Sequence, residues 1–441
     1  MPSVPAIQPL LRTVSIWFLV ATFSACLACP FCLAPSQTWA EMYASADVVI
    51  WGRLISSHPG NDRKAPSSVV EVIKVAKGGS HAAVKQKIQL ALPIFAKVDS
   101  TVLLKGSFQE TNIAGMSDTF ATDSNGKVLD DPQVKQGHGS SGLKIIPAST
   151  SKVISAGDST ESHLSLDSQN FVWDFAEPVS AEAFQYITTS PDLEKPSADR
   201  LLFFLKHLQH KDELIAADAW AEFANSKYEE IVAIKKSLPA DQLKQWIVNV
   251  ELSPERAGLY GMMLGLCGRQ QDVPFLLKQI GPGAQSDVRF GVEGLMGGLL
   301  VLAKDEGLDF LVRSRLGNPN ATTSEVFNAM SAVKYAWEYE PDLFSKDVLR
   351  ASLRPLLKRE EFQEIIITDL ARWEDWSVMA ELVELSATTD QAGVIRSTIG
   401  YCWQAEKATT ATDEQKQQAT SLLAAIKEAH PAAYRRQLMF R

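Results

Sequence analysis

The sequence predicts a multidomain α+β protein, in which a small N-terminal antiparallel β-barrel precedes a larger all-α domain of helical repeats. Three observations predict this architecture. The chain has 441 residues, more than one compact core usually holds. Short β-branched runs separated by Gly, Pro and Asn or Asp dominate up to about residue 185. From residue 198 onward, apolar residues recur with the period of an α-helix.

Residues 1–28 have the pattern of a signal peptide. A polar lead containing Arg12 precedes the apolar run 14–23, and small residues follow, including Ala28. This run is shorter than the roughly 20 residues that span a bilayer. We therefore expect an exported mature chain, periplasmic, extracellular or on the cell surface, that has no transmembrane span.

The role of the N-terminal cysteines has several possible interpretations. Cleavage after Ala28 makes Cys29 the first residue, and a lipid anchor on Cys26 or Cys29 remains an alternative because both follow small residues. An oxidising compartment predicts a disulfide between Cys29 and Cys32. The motif Cys29-Pro-Phe-Cys32 also has the spacing of a redox-active pair, the alternative in which these cysteines are catalytic.

Residues 29–185 are assigned to the β-barrel domain. We predict its strands near 46–55, 69–75, 87–92, 101–105 and 171–175, with Gly52 marking a bulge or a close backbone approach. A flexible segment rich in Ser and Gly, about 109–169, reads as an insertion between strands. Residues 186–197 have the polar, Pro-containing composition of a linker.

The start of this domain resembles a netrin-like module, the family that includes tissue inhibitors of metalloproteinases. The resemblance rests on Cys29 and Cys32, on 46–52 and on 70–78, and it covers about residues 29–110. It implies a barrel of oligonucleotide/oligosaccharide-binding (OB) topology. The chain has Cys-x-x-Cys where that family has Cys-x-Cys, so protease inhibition is not carried over.

Residues 198–430 are predicted to form an α-solenoid, followed by a C-terminal tail at 431–441. Comparable apolar helices open at a recurring interval, at Leu259, Val292, Val326, Ile365 and Val394. The pattern resembles HEAT-type or armadillo-type repeats, and the whole layout is similar to exported bacterial proteins of unknown function. Glycines spaced three and four apart, at 258–268 and 291–298, predict close helix–helix packing or, alternatively, a ligand groove.

The sequence offers binding candidates but no catalytic site beyond the cysteine pair. The candidates are aromatic residues, which serve as binding hot spots where exposed and otherwise as core: Trp337, Tyr339, Trp373, Trp376 and Trp403. His207 and His210 have a metal-compatible spacing but read as a surface pair, and no metal or cofactor is predicted. The net charge of −9 argues against nucleic-acid binding.

These features predict a non-enzymatic interaction or scaffold protein whose partner is a protein or a component of the cell envelope. Two alternatives remain. One is an exported thiol–disulfide oxidoreductase that uses Cys29 and Cys32. The other is a glycan-binding module, which an exposed aromatic row on the barrel would favour; the clearest strand aromatic is Trp51.

Overall fold

The computed structural model describes residues 29–32, 37–61, 64–108, 153–154, 171–249, 251–281 and 291–439. The predicted signal peptide with Cys26, nearly all of the predicted insertion, and a helix start expected near Asp287 lie outside these residues. The strands are β1 (Val48–His58), β2 (Ser67–Lys77), β3 (Lys87–Leu90), β4 (Thr101–Phe108), β5 (Val153–Ile154) and β6 (Phe171–Pro178).

The α-helices begin before the sheet and resume after it. They are α1 (Trp39–Ser45), α2 (Ala181–Thr189), α3 (Ser197–Leu205), α4 (Glu213–Asn225), α5 (Tyr228–Ala233), α6 (Ala240–Ile247), α7 (Pro254–Cys267), α8 (Val273–Ile280), α9 (Val292–Leu311), α10 (Thr323–Tyr339), α11 (Lys346–Leu353), α12 (Glu360–Arg372), α13 (Met379–Thr388), α14 (Ala392–Lys407), α15 (Asp413–Ala429) and α16 (Pro431–Leu438).

The strands form a curled antiparallel sheet with the order β5-β3-β2-β1-β4-β6. Within the described residues the end strands β5 and β6 do not pair with each other, so the sheet is a half-barrel. The register of β1 with β2 shifts between Trp51 and Gly52, which indicates a β-bulge. A Cβ on Gly52 would lie 2.3 Å from a methyl carbon of Val70, so the bulge and close approach predicted at this glycine are confirmed.

The two faces of the sheet belong to different cores, because side chains alternate along a strand. Val48, Ile50 and Leu54 of β1 lie in the interior of the curl. Val49 instead joins the core of the helical region, and Trp51 stacks on Phe184 of α2 with 5.2 Å between ring centroids. One face of the sheet therefore shares an apolar core with the helices, and the other face encloses a separate core.

The end of helix α2 overlaps the stretch that the sequence suggested as a linker. Its buried residues Phe184, Tyr186 and Ile187 fall at helical spacing, so the stretch assigned as linker, 186–197, begins inside a packed helix. The polar residues that close α2, Thr188 and Thr189, gave the segment the composition of a connector. Only the turn before α3 has that character.

The helical region is an ordered succession of packed helices. α7 packs on α9, α9 on α10, α12 on α14 and α14 on α15. Phe327 of α10 contacts Phe362 of α12 with 5.1 Å between ring centroids, which connects the two halves of the series. The recurring apolar positions from the sequence fall on α7, α9, α10, α12 and α14, so each marks a helix of this array.

Two local features concern helix boundaries. The sequence predicts a helix that begins near Asp305, and the structure has a kink at this point within α9, where Lys304 has φ 47°. Residues assigned to a C-terminal tail include α16, which begins with Pro431 and places Tyr434 against Trp403. Among the described helices, none is both long and apolar enough to cross a membrane.

Candidate functional site

The disulfide loop Cys29–Cys32 is inserted into the helical region. Cys29 and Cys32 are joined with 5.3 Å between their Cα atoms, and the Cys32 backbone N–H donates to the Cys29 carbonyl. The Cys29 backbone nitrogen donates to the carbonyl of Ala224, at the end of α4, over 3.1 Å. Cys29 is only 3% exposed, whereas Cys32 is partly buried.

Phe31 anchors this loop in a space that glycines leave open. A Cβ on Gly297 would lie 2.6 Å from Cζ of Phe31, and one on Gly258 would lie 3.2 Å from the Phe31 carbonyl oxygen. The Phe31 ring also packs on Tyr335 of α10, with 4.9 Å between centroids. Any larger residue at Gly297 would displace the ring.

The other glycines of the two predicted series bring α7 and α9 together. A Cβ on Gly261 would lie 2.5 Å from the backbone nitrogen of Leu295, and one on Gly294 would lie 2.0 Å from the Gly258 carbonyl oxygen. The backbones themselves are in contact, as the helix-packing interpretation predicts. The sequence did not reveal that Phe31 packs against Gly258 and Gly297.

A pocket of about 530 Å³ opens beside the disulfide loop. Pro30, Phe31 and Cys32 form one wall, and the starts of α7 and α9 with one face of α10 form the others. The volume lies within the range of small-ligand pockets, roughly 300–1,000 Å³. Its surface is mostly apolar, with Glu255 and Glu293 as its two carboxylates.

The side chain of Glu293 is partly buried at the start of α9. Burial raises the pKa of its carboxyl, and the Glu293 and Gly291 backbone N–H groups act in the opposite direction. No described residue forms an ion pair with it. A carboxylate in such a place is poised to take a proton or to meet a cation.

A second polar cluster holds α1 against α4. Asp218 accepts hydrogen bonds from the Trp39 backbone N–H and the Tyr186 hydroxyl, each over 2.7 Å. One turn later, Glu222 pairs with Arg200 over 2.5 Å. Burial, with the acidic neighbours Asp218 and Glu41, raises the pKa of Glu222 to about 7, because these effects exceed the opposing effect of Arg200.

The aromatic candidates are mostly core residues. Trp373, Trp376 and Trp403 are buried. Trp337 is partly buried and stacks on Trp373 with 4.1 Å between centroids, while Tyr339 packs beside Tyr335. Trp337 and Tyr339 are therefore only partly exposed.

Other candidate groups are accounted for by local packing. His207 contacts the Phe203 carbonyl, and burial lowers the pKa of its ring. His210 lies 3.3 Å from Glu182. In the described part of the chain, no group of three or more His, Cys, Asp or Glu is arranged to hold a metal ion.

The remaining thiols and charged residues also have structural roles. Burial raises the pKa of Cys267 to about 11 and that of Cys402 to about 12, so both remain protonated near neutral pH. The charged residues near Trp373 form ion pairs, Lys334 with Asp369 and Arg354 with Asp375.

No protein-family model matches the chain, and no curated protein matches it significantly.

Proposed function

We propose that this chain is an exported, non-enzymatic interaction protein that binds a protein or a cell-envelope component at the pocket beside its disulfide loop. The observation that carries the proposal is the insertion of Phe31 between α7, α9 and α10. This insertion joins the segment 29–32 to the helical region and forms one wall of a pocket of ligand size.

The surroundings of the cysteines support a structural disulfide over the oxidoreductase alternative. A redox-active pair usually presents an accessible thiolate stabilised at the start of a helix. Here Cys29 is buried against α4, and the first helix among the described residues, α1, begins at Trp39. A disulfide at Cys29 also uses the sulfur that a lipid would need, so under this proposal a lipid anchor belongs on Cys26.

The glycan-binding alternative receives less support. The strand aromatic that suggested it, Trp51, is packed against Phe184 between the sheet and α2 rather than displayed in a row. Its ring is therefore already occupied by an internal stacking contact.

The finer family assignments are part of the same proposal. The curled antiparallel sheet is compatible with a netrin-like module, and the succession α7, α9, α10, α12 and α14 is compatible with a HEAT-like solenoid. In such solenoids each repeat contacts mainly its neighbours, which leaves an extended surface for a partner. The pocket opens between the starts of α7 and α9 and the face of α10.

The proposal is tested by placing a photo-cross-linking amino acid at Ser331, which lines the pocket and is exposed. Ser421, exposed on α15, is the matched control position. In cells of the native source, we expect a discrete cross-linked product from Ser331 and none from Ser421. The same product from both positions, or none from either, would contradict the proposal.

Catalysis is tested separately with the purified oxidised protein. We expect that the chain does not accelerate the reduction of a protein disulfide by dithiothreitol, whatever the concentration of the chain. Turnover that disappears in Cys29→Ser would replace the binding proposal with the oxidoreductase. Export is checked separately by fractionating cells that express the chain with or without residues 1–28.

A further inference from the structure

The pocket beside the disulfide loop has an acidic lining. Glu255 and Glu293 line it, and no Lys or Arg is among its described lining residues. Neither carboxylate forms an ion pair within the described parts of the chain. A ligand that enters this space therefore meets two carboxylates that no described residue pairs with a cation.

Three buried acids of the helical region pair with a cation, whereas the buried Asp218 is held by hydrogen bonds alone. Asp272 pairs with Lys244 over 2.6 Å, Asp375 with Arg354 over 2.8 Å, and Glu325 with Arg315. Removing a carboxylate from water is costly unless an opposite charge compensates for it. Unlike these three acids, Glu293 has no cation among the described residues, and a ligand can supply one.

The walls of the pocket specify the rest of the ligand. Pro30, Phe31 and Pro254 present carbon surface, which favours an apolar body attached to the cation. A hydrated metal ion does not fit this requirement, since Ca²⁺ prefers six to eight oxygen ligands. The site therefore suits an organic cation.

An ammonium group fits the carboxylate better than a guanidinium group does. Backbone N–H groups of Gly291 and Glu293 already interact with the Glu293 carboxylate. These contacts occupy part of the acceptor capacity that a planar, bidentate guanidinium needs. A compact ammonium requires fewer free lone pairs.

We propose that this pocket binds a primary ammonium group carried on an aliphatic chain, with the ammonium at Glu293 and the chain against Phe31 and Pro254. The inference rests on the proposed function, because it names the chemistry that the same pocket recognises. A lysine side chain of a polypeptide and a free alkylamine both have this chemistry.

The test measures binding by isothermal titration with three probes. They are n-pentylamine, Nα-acetyl-lysine N-methylamide and the neutral isostere Nα-acetyl-norleucine N-methylamide. We expect the lysine derivative, the amine or both to bind, and the neutral isostere to bind about tenfold more weakly or worse, as for loss of a charge-assisted hydrogen bond. Binding of the lysine derivative alone identifies a polypeptide source, and binding of pentylamine alone identifies a free amine.

Variants locate the binding. Glu293→Gln should lose affinity for the cationic probes by about tenfold. Glu306→Gln, an exposed position on the same helix α9, should bind like the unmodified chain. Circular dichroism checks that both variants are folded; if Glu293→Gln is not, the comparison of lysine with norleucine still decides.

Equal binding of the lysine and norleucine derivatives, no binding of either amine, or unchanged affinity in folded Glu293→Gln would overturn the inference. These failures differ from failure of the proposed function. A cross-link at Ser331 that persists while the amines do not bind means that the ligand chemistry is wrong and the binding surface is right. Amine binding without any cross-link means that the ligand chemistry is right and the proposed partner binding is wrong.

Discussion

Two attachments hold the N-terminal segment to the helical region, and they use opposite chemistry. At the first, Phe31 fills an apolar space next to Gly297 and Tyr335. At the second, Asp218 and Glu222 of α4 hold the start of α1 through buried polar contacts. The first attachment depends on shape and is insensitive to pH, whereas the second depends on protonation. Each can therefore be broken without the other.

The largest effect is expected from removal of the Phe31 ring. Phe31→Ala leaves a cavity beside Gly297 and should reduce the free energy of unfolding by about 4 kcal/mol, as for other buried aromatic residues. Urea unfolding followed by circular dichroism measures it. Phe95→Ala is the control, because Phe95 is 85% exposed and its loss should change stability by less than about 0.5 kcal/mol. Equal effects at the two positions would rule out the insertion.

A somewhat smaller effect is expected where α7 meets α9. Gly294→Ala places a methyl group against the Gly258 carbonyl oxygen and should destabilise the fold by about 3 kcal/mol. The matched substitution is Gly400→Ala in α14, where nothing lies within 4 Å of the new Cβ. It should instead stabilise the chain by about 0.5–1 kcal/mol, since alanine favours a helix. The same sign at both glycines would contradict the close packing.

The polar attachment should make stability depend on pH. Folding raises the pKa of Glu222 from 4.5 to about 7, so the folded chain keeps a proton that the unfolded chain releases in this interval. Stability should therefore be highest at the acidic end of the interval and decline by about 2–3 kcal/mol up to about pH 7, since one pKa unit is about 1.4 kcal/mol.

Paired variants isolate this dependence. Glu222→Gln cannot titrate, so its stability should vary less between pH 4.5 and 7 than that of the unmodified chain. Glu229→Gln, at an exposed position on α5, should retain the full dependence. Urea midpoints across the interval provide the measurement. If Glu222→Gln follows the same curve as the unmodified chain, another group is responsible.

The two attachments also differ in how far the sequence predicts them. Strand alternation around Gly52, the helical period after residue 198 and the spacing of Gly258, Gly261 and Gly265 reflect local rules, and the structure agrees with them. These features depend on residues close in the chain. They predict that one face of α7 carries only small residues, but they do not predict which residues pack against that face.

The features that the sequence could not predict depend on contacts between residues that are distant in the chain. Phe31 meets Tyr335, and Trp39 meets Asp218, across large separations in sequence. Asp218 and Glu222 look like the polar face of a helix until α1 covers them. The same reason applies to Trp373 and Trp376, whose burial is decided by neighbouring helices and not by their own segment.

The most direct test of the central claim, that the disulfide loop is a structural wall of the binding pocket and not a redox centre, is its reactivity in the folded chain. The oxidised protein is treated with dithiothreitol and an alkylating agent under native conditions, and modified cysteines are located by peptide mass spectrometry. The account predicts slow modification of Cys29 and Cys32 until denaturant is added, because Cys29 is buried. Rapid modification of both, with circular dichroism unchanged, would contradict it.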